Sequence, residues 1–124
     1  MIENESLFIA DSLWSATANS KITCNALIGD KETEIAIIGA GYTGLSAALH
    51  LSEKNKNIVV LDSENPGWGA SGRNGGQVNP GLKEDPNEIE AKFGAEVGRR
   101  IVDMSGTAPD LVFSLIKKYN IDCD

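Results

Sequence analysis

A chain of 124 residues, 41% hydrophobic and 23% charged, has the make-up of a globular protein and the length of one small domain. Its net charge of −7 argues against a nucleic-acid surface, which needs clustered Lys and Arg, and weakly favours a cationic ligand through steering. No apolar run approaches the roughly 20 residues that span a bilayer, and residues 1–11 carry acids but no basic residue, unlike the start of a secretory signal.

Residues 1–33 have little periodicity and read as an N-terminal arm, with Trp14 expected to anchor it against the body of the protein. Thr23 to Lys31 reads as a polar loop. A short apolar strand, Ile35-Ala36-Ile37-Ile38, then runs into Gly39-Ala40-Gly41-Tyr42-Thr43-Gly44. After Gly44 a helix carries Leu45, Ala47, Ala48, Leu49 and Leu51; it is apolar on most sides and is expected to be largely buried. His50 on this helix has no Asp or Cys partner in view and reads as a packing or surface residue. The polar turn Glu53-Lys54-Asn55-Lys56-Asn57 leads to a second strand, Ile58-Val59-Val60-Leu61, which ends on Asp62. A right-handed crossover would make the two strands parallel neighbours.

Strand, glycines, helix, strand and acid together form an ADP-binding βαβ fingerprint. Gly39 permits a tight turn, Gly41 leaves room for a pyrophosphate, and Gly44 lets the helix lie close to the sheet. The helix N-terminus points unsatisfied amides and the positive end of its dipole at the phosphates. Asp62, 18 positions after Gly44, stands where an acid accepts hydrogen bonds from the adenosine ribose and repels a 2′-phosphate, so NADP is disfavoured. Ala48 is a fourth small residue on the helix and suits an FAD site.

A second glycine-rich stretch follows, from Pro66 to Gly81, and contains Trp68, Ser71, Arg73, Asn74 and Gln77. It has no apolar periodicity and more chemistry than a Gly/Ser linker, so it reads as a ligand-contacting loop. Ser71 and Asn74 offer hydrogen bonds, and Arg73 a fork of donors suited to phosphate or carboxylate.

Beyond it, Asp85-Pro86-Asn87-Glu88 is a helix start with a capping box. Ile89, Phe93, Val97 and Ile101 recur every four residues and predict one helix with an apolar stripe, weakened at Gly94 and Gly98 by about 1 kcal/mol each. Gly106 to Pro109 predicts a break, with Thr107 capping a further helix over Leu111, Val112, Leu115, Ile116 and Tyr119 that Asn120 ends. Arg99, Arg100, Lys117 and Lys118 read as solvated. Ile121 to Asp124 reads as the start of another strand. Cys24 and Cys123 have no CxxC spacing and read as reduced thiols of a cytoplasmic protein, with neither a disulfide nor a metal site.

The combination GAGYTGLSAALHL, VVLD and GWGASGRNGGQVNPGLK resembles the N-terminal part of the FAD-dependent amine oxidoreductases of the D-amino-acid-oxidase superfamily. The resemblance is nearest to their gamma-glutamylputrescine oxidoreductase-like branch, whose short lead segment is similar to Ser12-Leu13-Trp14-Ser15-Ala16-Thr17-Ala18. It implies an α/β fold: a Rossmann-like FAD-binding βαβ unit followed by helices, cut before the rest of the sheet and the substrate domain. The divisions would be an arm over 1–33, the FAD-binding βαβ unit with its glycine-rich flavin loop over 34–82, and a helical segment over 83–124 that leads into a missing strand.

The resemblance also implies that Tyr42 and Thr43 sit over the pyrophosphate with Gly39, Gly41 and Gly44. Asp62 would replace the more usual Glu at the ribose, with Ser63 beside the adenine end. Ala70 and Ser71 would contact the phosphates or ribityl chain, and Arg73, Asn74, Gly75, Gly76 and Gln77 would run alongside the flavin. Some relatives tether FAD through a histidine in this loop; none is present here, so the implied FAD is non-covalent. The implied reaction moves a hydride from the amine-bearing carbon to flavin, after which the imine hydrolyses. The partners expected are a small-molecule amine and the C-terminal part of a longer protein, with no membrane span. No residue is assigned as catalytic. Two other readings stay open at this point: the Rossmann unit of an NAD-dependent dehydrogenase, which does not account for the ASGRNGG loop, and an inactive nucleotide-binding fragment.

Overall fold

A computed structural model describes residues 12–19 and 22–123. They fall into two compact units, one ending at Gly75 and the other beginning at Gly76.

The first unit is built on a parallel pair of strands, β1 (Ile35–Ile38) and β2 (Ile58–Leu61). Both are short apolar runs rich in Ile and Val, β1 entered from Glu34 and left at Gly39, β2 entered from Asn57 and left at Asp62, which suits a sheet interior. Ile35 pairs with Ile58 and Ile38 with Leu61, and side-chain and backbone bonds clamp this register at both ends. At the start, the Asn57 carbonyl accepts from the Ile35 amide at 3.2 Å and from Thr33 Oγ1 at 2.9 Å. The Glu34 carboxylate accepts from the Asn57 amide at 2.9 Å and from Lys56 Nζ at 3.0 Å. At the far end the Gly39 amide donates to the Leu61 carbonyl at 2.7 Å. A one-residue slip would break every one of these bonds and invert the faces of the strand.

A short helix, α1 (Leu13–Thr17), precedes the sheet, and α2 (Tyr42–Ser52) connects its two strands. Helix α1 carries a capping box between Ser12 and Ser15. Helix α2 begins at Tyr42, so Gly44 lies inside its first turn rather than ahead of it. The polar turn after it contains Asn55 at a φ of 56°. None of the residues of α2 is buried, contrary to the sequence expectation. The cause is that a two-stranded sheet covers one side of the helix only; Leu45 stays 44% exposed and Ile38 of β1 79%.

The second unit consists of α3 (Pro86–Phe93), α4 (Ala95–Gly106) and α5 (Ala108–Tyr119). Asp85 caps α3 through the Asn87 amide, Glu88 reaches back to the Asp85 amide, and Pro86 takes the first position, as the sequence implies. The single helix expected over Ile89 to Ile101 is not present. Gly94, at a φ of 82°, ends α3, and the chain folds back on itself there. Gly98 is buried at the contact this creates. A Cβ on it would stand 2.5 Å from Glu90 Cα and 3.0 Å from the Ile89 carbonyl oxygen. The four-residue stripe is therefore split: Ile89 is buried, while Phe93 and Val97 are exposed.

Thr107 separates α4 from α5, but its hydroxyl does not cap α5. It donates instead to the Asp103 carbonyl at 3.0 Å, closing the helix behind it. Asn120 ends α5 in the left-handed conformation, as read from sequence. The strand expected from Ile121 is absent over 121–123: the Ile121 amide is taken by the Ile116 carbonyl at 2.9 Å in a helix-ending bond. Asp124 lies outside the described residues.

Alanine is the better helix former by about 1 kcal/mol, so propensity alone would make Gly98→Ala stabilising. The overlap with the Glu90 backbone reverses the sign, and overpacking of this kind costs about 1–3 kcal/mol. Urea unfolding followed by far-ultraviolet circular dichroism is expected to show a lower midpoint for Gly98→Ala.

Candidate functional site

The site is assembled where β1 ends. Gly39 takes a φ of 102°, which turns the chain out of the strand at once. Ala40, 4% exposed, follows with both its backbone groups engaged. Its amide donates to Asp62 Oδ2 at 2.6 Å, and its carbonyl accepts from the Gly67 amide at 3.0 Å. Gly41 is the N-cap of α2. A Cβ on Gly44 would overlap the Gly39 carbonyl oxygen and come within 3.3 Å of Ile37 Cγ2, so the first turn of α2 can lie against β1 only without a side chain there.

The second glycine-rich loop folds onto this turn. Ala70–Gly72 form a single 3-10 turn that presents Ser71 to the helix N-terminus, where Ser71 Oγ accepts from the Tyr42 amide at 3.0 Å. A Cβ on Gly41 would stand 2.8 Å from that hydroxyl oxygen. Asn74 Nδ2 donates to the Ser71 carbonyl at 2.7 Å and to Tyr42 Oη at 3.1 Å. The Asn74 carbonyl in turn accepts from Trp14 Nε1 at 2.9 Å, which brings α1 to the same place. Arg73 turns aside: its Nε donates to the Trp68 carbonyl at 2.9 Å, and its guanidinium stacks 4.5 Å from the Trp68 ring centroid.

Gly39, Gly41, Tyr42, Thr43, Gly44 and Ser71 therefore line one groove of about 320 Å³, with Ile37, Ile38 and Ala47 as its apolar wall. Among the described residues no acceptor meets the amides of Thr43 and Gly44. These free donors at a helix N-terminus suit an anionic group. Asn74 reaches the groove through Tyr42. Asp62 does not line the groove but holds the turn through the Ala40 amide. Ser63 and Ala70 flank Asp62 and Ser71 in the chain, and Gly75 closes the first unit. Gly76 and Gln77 belong to the second unit.

The Asp62 carboxyl is held below the usual aspartate range by the Ala40 amide first and then by that of Glu64, against a smaller opposing effect of burial, with the Ser63 amide contributing least. The Glu64 amide donates to Oδ1 at 2.9 Å, so each carboxylate oxygen accepts one backbone bond and keeps capacity for another. The free helix amides beside Gly41, where an added Cβ would crowd Ser71 Oγ, suit the pyrophosphate of an adenine dinucleotide, and the remaining acceptor capacity of Asp62 suits a ribose hydroxyl. Three residues carry more than sequence reasoning gave them. Trp68 went without a role, although an aromatic five positions before Arg73 in a glycine loop is a stacking signal. Ser12 and Ser15, spaced as a capping box, announced α1. Among the described residues no helix is long and apolar enough to cross a membrane, and no group of three or more His, Cys, Asp or Glu could hold a metal ion. Both cysteines are free and exposed.

The profile of the FAD dependent oxidoreductase family (DAO) matches residues 34–124. Gamma-glutamylputrescine oxidoreductase of Escherichia coli (strain K12) is 38% identical over 113 residues, 91% of this chain and 26% of that protein. A probable oxidoreductase OrdL of Haemophilus influenzae is 40% identical over 94 residues, 76% of this chain and 22% of that protein. A second probable OrdL, of Rhizobium meliloti, is 34% identical over 113 residues. The chain spans about a quarter of the length of these relatives. No solved structure matches the chain significantly.

A carboxyl whose folded-state pKa is lowered contributes stability above its ordinary value, about 3.9 for aspartate, and loses it as pH falls through the folded-state value. The Ala40 amide resonance is therefore expected to titrate with a midpoint below the ordinary aspartate value. In Asp62→Asn, NMR spectra over the same acid range should show no such titration at Ala40.

Proposed function

The chain belongs to the DAO family of FAD-dependent oxidoreductases, and on that premise we propose that it forms the FAD-binding portion of an enzyme that oxidises an amine at its C–N bond. The observation that carries the reading is the pairing of the two glycine-rich loops, joined through Gly67 to Ala40 and through Ser71 to Tyr42. A classical NAD unit needs one such cradle, and the family is a flavin family, so the dehydrogenase alternative falls away.

In this reading the Thr43 and Gly44 amides and the dipole of α2 hold the pyrophosphate. Ser71 Oγ, already accepting from Tyr42, keeps its hydroxyl proton to donate to a phosphate oxygen. Asp62 accepts from the ribose with the capacity its two backbone bonds leave. Arg73, with Nε spent on Trp68, retains its terminal N–H groups for an anionic or carbonyl group beside the flavin. Gly75 is proposed to continue along it. Bound FAD would supply the two-electron acceptor for the hydride lost by the amine-bearing carbon. The FAD is proposed to be non-covalent, since the only histidine, His50, lies on α2 and not in the second loop.

The substrate proposed is a cationic amine of the gamma-glutamylputrescine type, supported by the name of the Escherichia coli relative and by the acidic balance of the chain. We assign no catalytic base within these residues, and propose that substrate binding and turnover require the C-terminal part of a longer protein. A cytoplasmic setting, with Cys24 and Cys123 reduced, fits the same reading.

Gly41→Val is expected to lower FAD retention at least tenfold in the full-length protein, measured as flavin absorbance after desalting; unchanged occupancy would remove the pyrophosphate from this groove. The wild-type flavin should be released by denaturation. A colourless protein that binds NADH would overturn the assignment. The 124-residue chain alone is expected to release no peroxide from gamma-glutamylputrescine.

A further inference from the structure

Helix α1 stands apart from the nucleotide fingerprint in sequence, yet its indole reaches the residue that joins the two loops. Trp14 and Asn74 are 60 positions apart, and the bond between them runs from the Trp14 Nε1–H to the Asn74 backbone carbonyl at 2.9 Å. The Asn74 side chain spans the gap to the first loop, donating to Tyr42 Oη, while it also fixes the Ser71 carbonyl. Ser71 in turn holds the Tyr42 amide. A five-residue helix has little stability of its own. Here Ser12 and Ser15 close its N-terminus, and Thr17 Oγ1 donates to the Leu13 carbonyl at 2.9 Å, so Trp14 is presented from a locally fixed frame.

We propose that Trp14 is a positioning residue for the nucleotide site: its indole N–H clasps the Ser71–Asn74 segment onto the N-terminus of α2, so that the two loops are held together before ligand arrives. The inference rests on the flavin reading, because the ligand that both loops would hold is FAD. The clasp acts on the pyrophosphate end, through Ser71 and the Tyr42 amide, and so extends to any ligand that shares the ADP moiety. Its energetic effect is preorganisation: loss of the bond leaves the folded scaffold in place but lets the second loop leave the helix end.

The test is Trp14→Phe, which keeps an aromatic ring and removes the donor. Losing one hydrogen bond of ordinary worth is expected to weaken FAD and ADP alike by about fivefold and to raise their dissociation rates, with the thermal midpoint of the ligand-free chain unchanged. In the ligand-free chain, hydrogen exchange at the Tyr42 amide should accelerate by a similar factor. A Trp14 with a merely structural role would lower the thermal midpoint and leave the affinity of the folded chain alone. Tyr42→Phe removes another link of the same clasp, so the double variant should lose less affinity than the two single losses combined. Full-length wild-type protein that binds neither ADP nor FAD would sink the flavin reading. Equal affinity of wild type and Trp14→Phe, or unchanged exchange at Tyr42, would sink the clasp while leaving that reading intact.

Discussion

The peptide groups of Ala40 are the constraint on which the first unit depends. The residue lies between two glycines, and its methyl side chain offers no polar contact with which to fix the turn. It is fixed from outside: Asp62, just past β2, takes its N–H, and Gly67, at the head of the second loop, gives to its C=O. Both partners lie downstream of β2, so the turn after β1 acquires its shape only when the parallel strands have paired. The groove at the N-terminus of α2 is therefore a product of tertiary structure, its polar side shared by the turn after β1, the first turn of α2 and Ser71 of the second loop.

This dependence explains which features could be read from the sequence. The strands were legible because Ile35–Ile38 and Ile58–Leu61 are short apolar runs rich in Ile and Val bounded by polar residues or glycine, and α3 because Asp85, Pro86 and Glu88 each occupy a position that a helix start favours. These signals are local. The features that were not legible all involve a second segment. Gly94 could weaken a helix or end it, and only the fit of Gly98 against Ile89 and Glu90 decides for the ending. Thr107 has the residue type of an N-cap, yet its hydroxyl bonds backward to α4. The apolar composition of α2 signals burial, but burial requires a covering layer, and the described residues provide one side. At the site, Gly39, Gly41, Tyr42, Thr43 and Gly44 line one groove because they succeed one another around the end of β1, whereas Ser71 joins them only through the fold of the second loop. Arg73 stacked on Trp68 does not follow from the fingerprint spacing, because stacking depends on where the loop backbone places both ends.

Burial is sparse. Ala40 and Ile89 are the only hydrophobic residues fully buried among those described, one in each unit. Hydrophobic transfer therefore contributes less to local order here than in a domain with a closed core. What keeps the site in register is polar and directional: the Glu34 and Thr33 bonds at one end of the strand pair, and the Asp62 and Gly67 bonds at the other. The exposed faces of Ile38 and Leu45 lie where open α/β sheets carry further strands and helices.

The electrostatics of the chain point to binding more than to proton transfer. Glu34 is held below the usual glutamate range by the Asn57 amide and then by Lys56, and Asp62 below the aspartate range by the Ala40 and Glu64 amides. In both cases backbone donors favour the ionised form, which suits a carboxylate that must stay charged and fixed. A general base working near neutrality needs the opposite shift, upward through desolvation or a like charge. Glu34 spends its charge on strand register and Asp62 on the shape of the glycine turn, so the two perturbed acids serve opposite ends of one parallel pair. The chemistry of such a unit is then that of a holder: amides and one hydroxyl arranged at a groove, with a charged carboxylate fixing the turn that carries them.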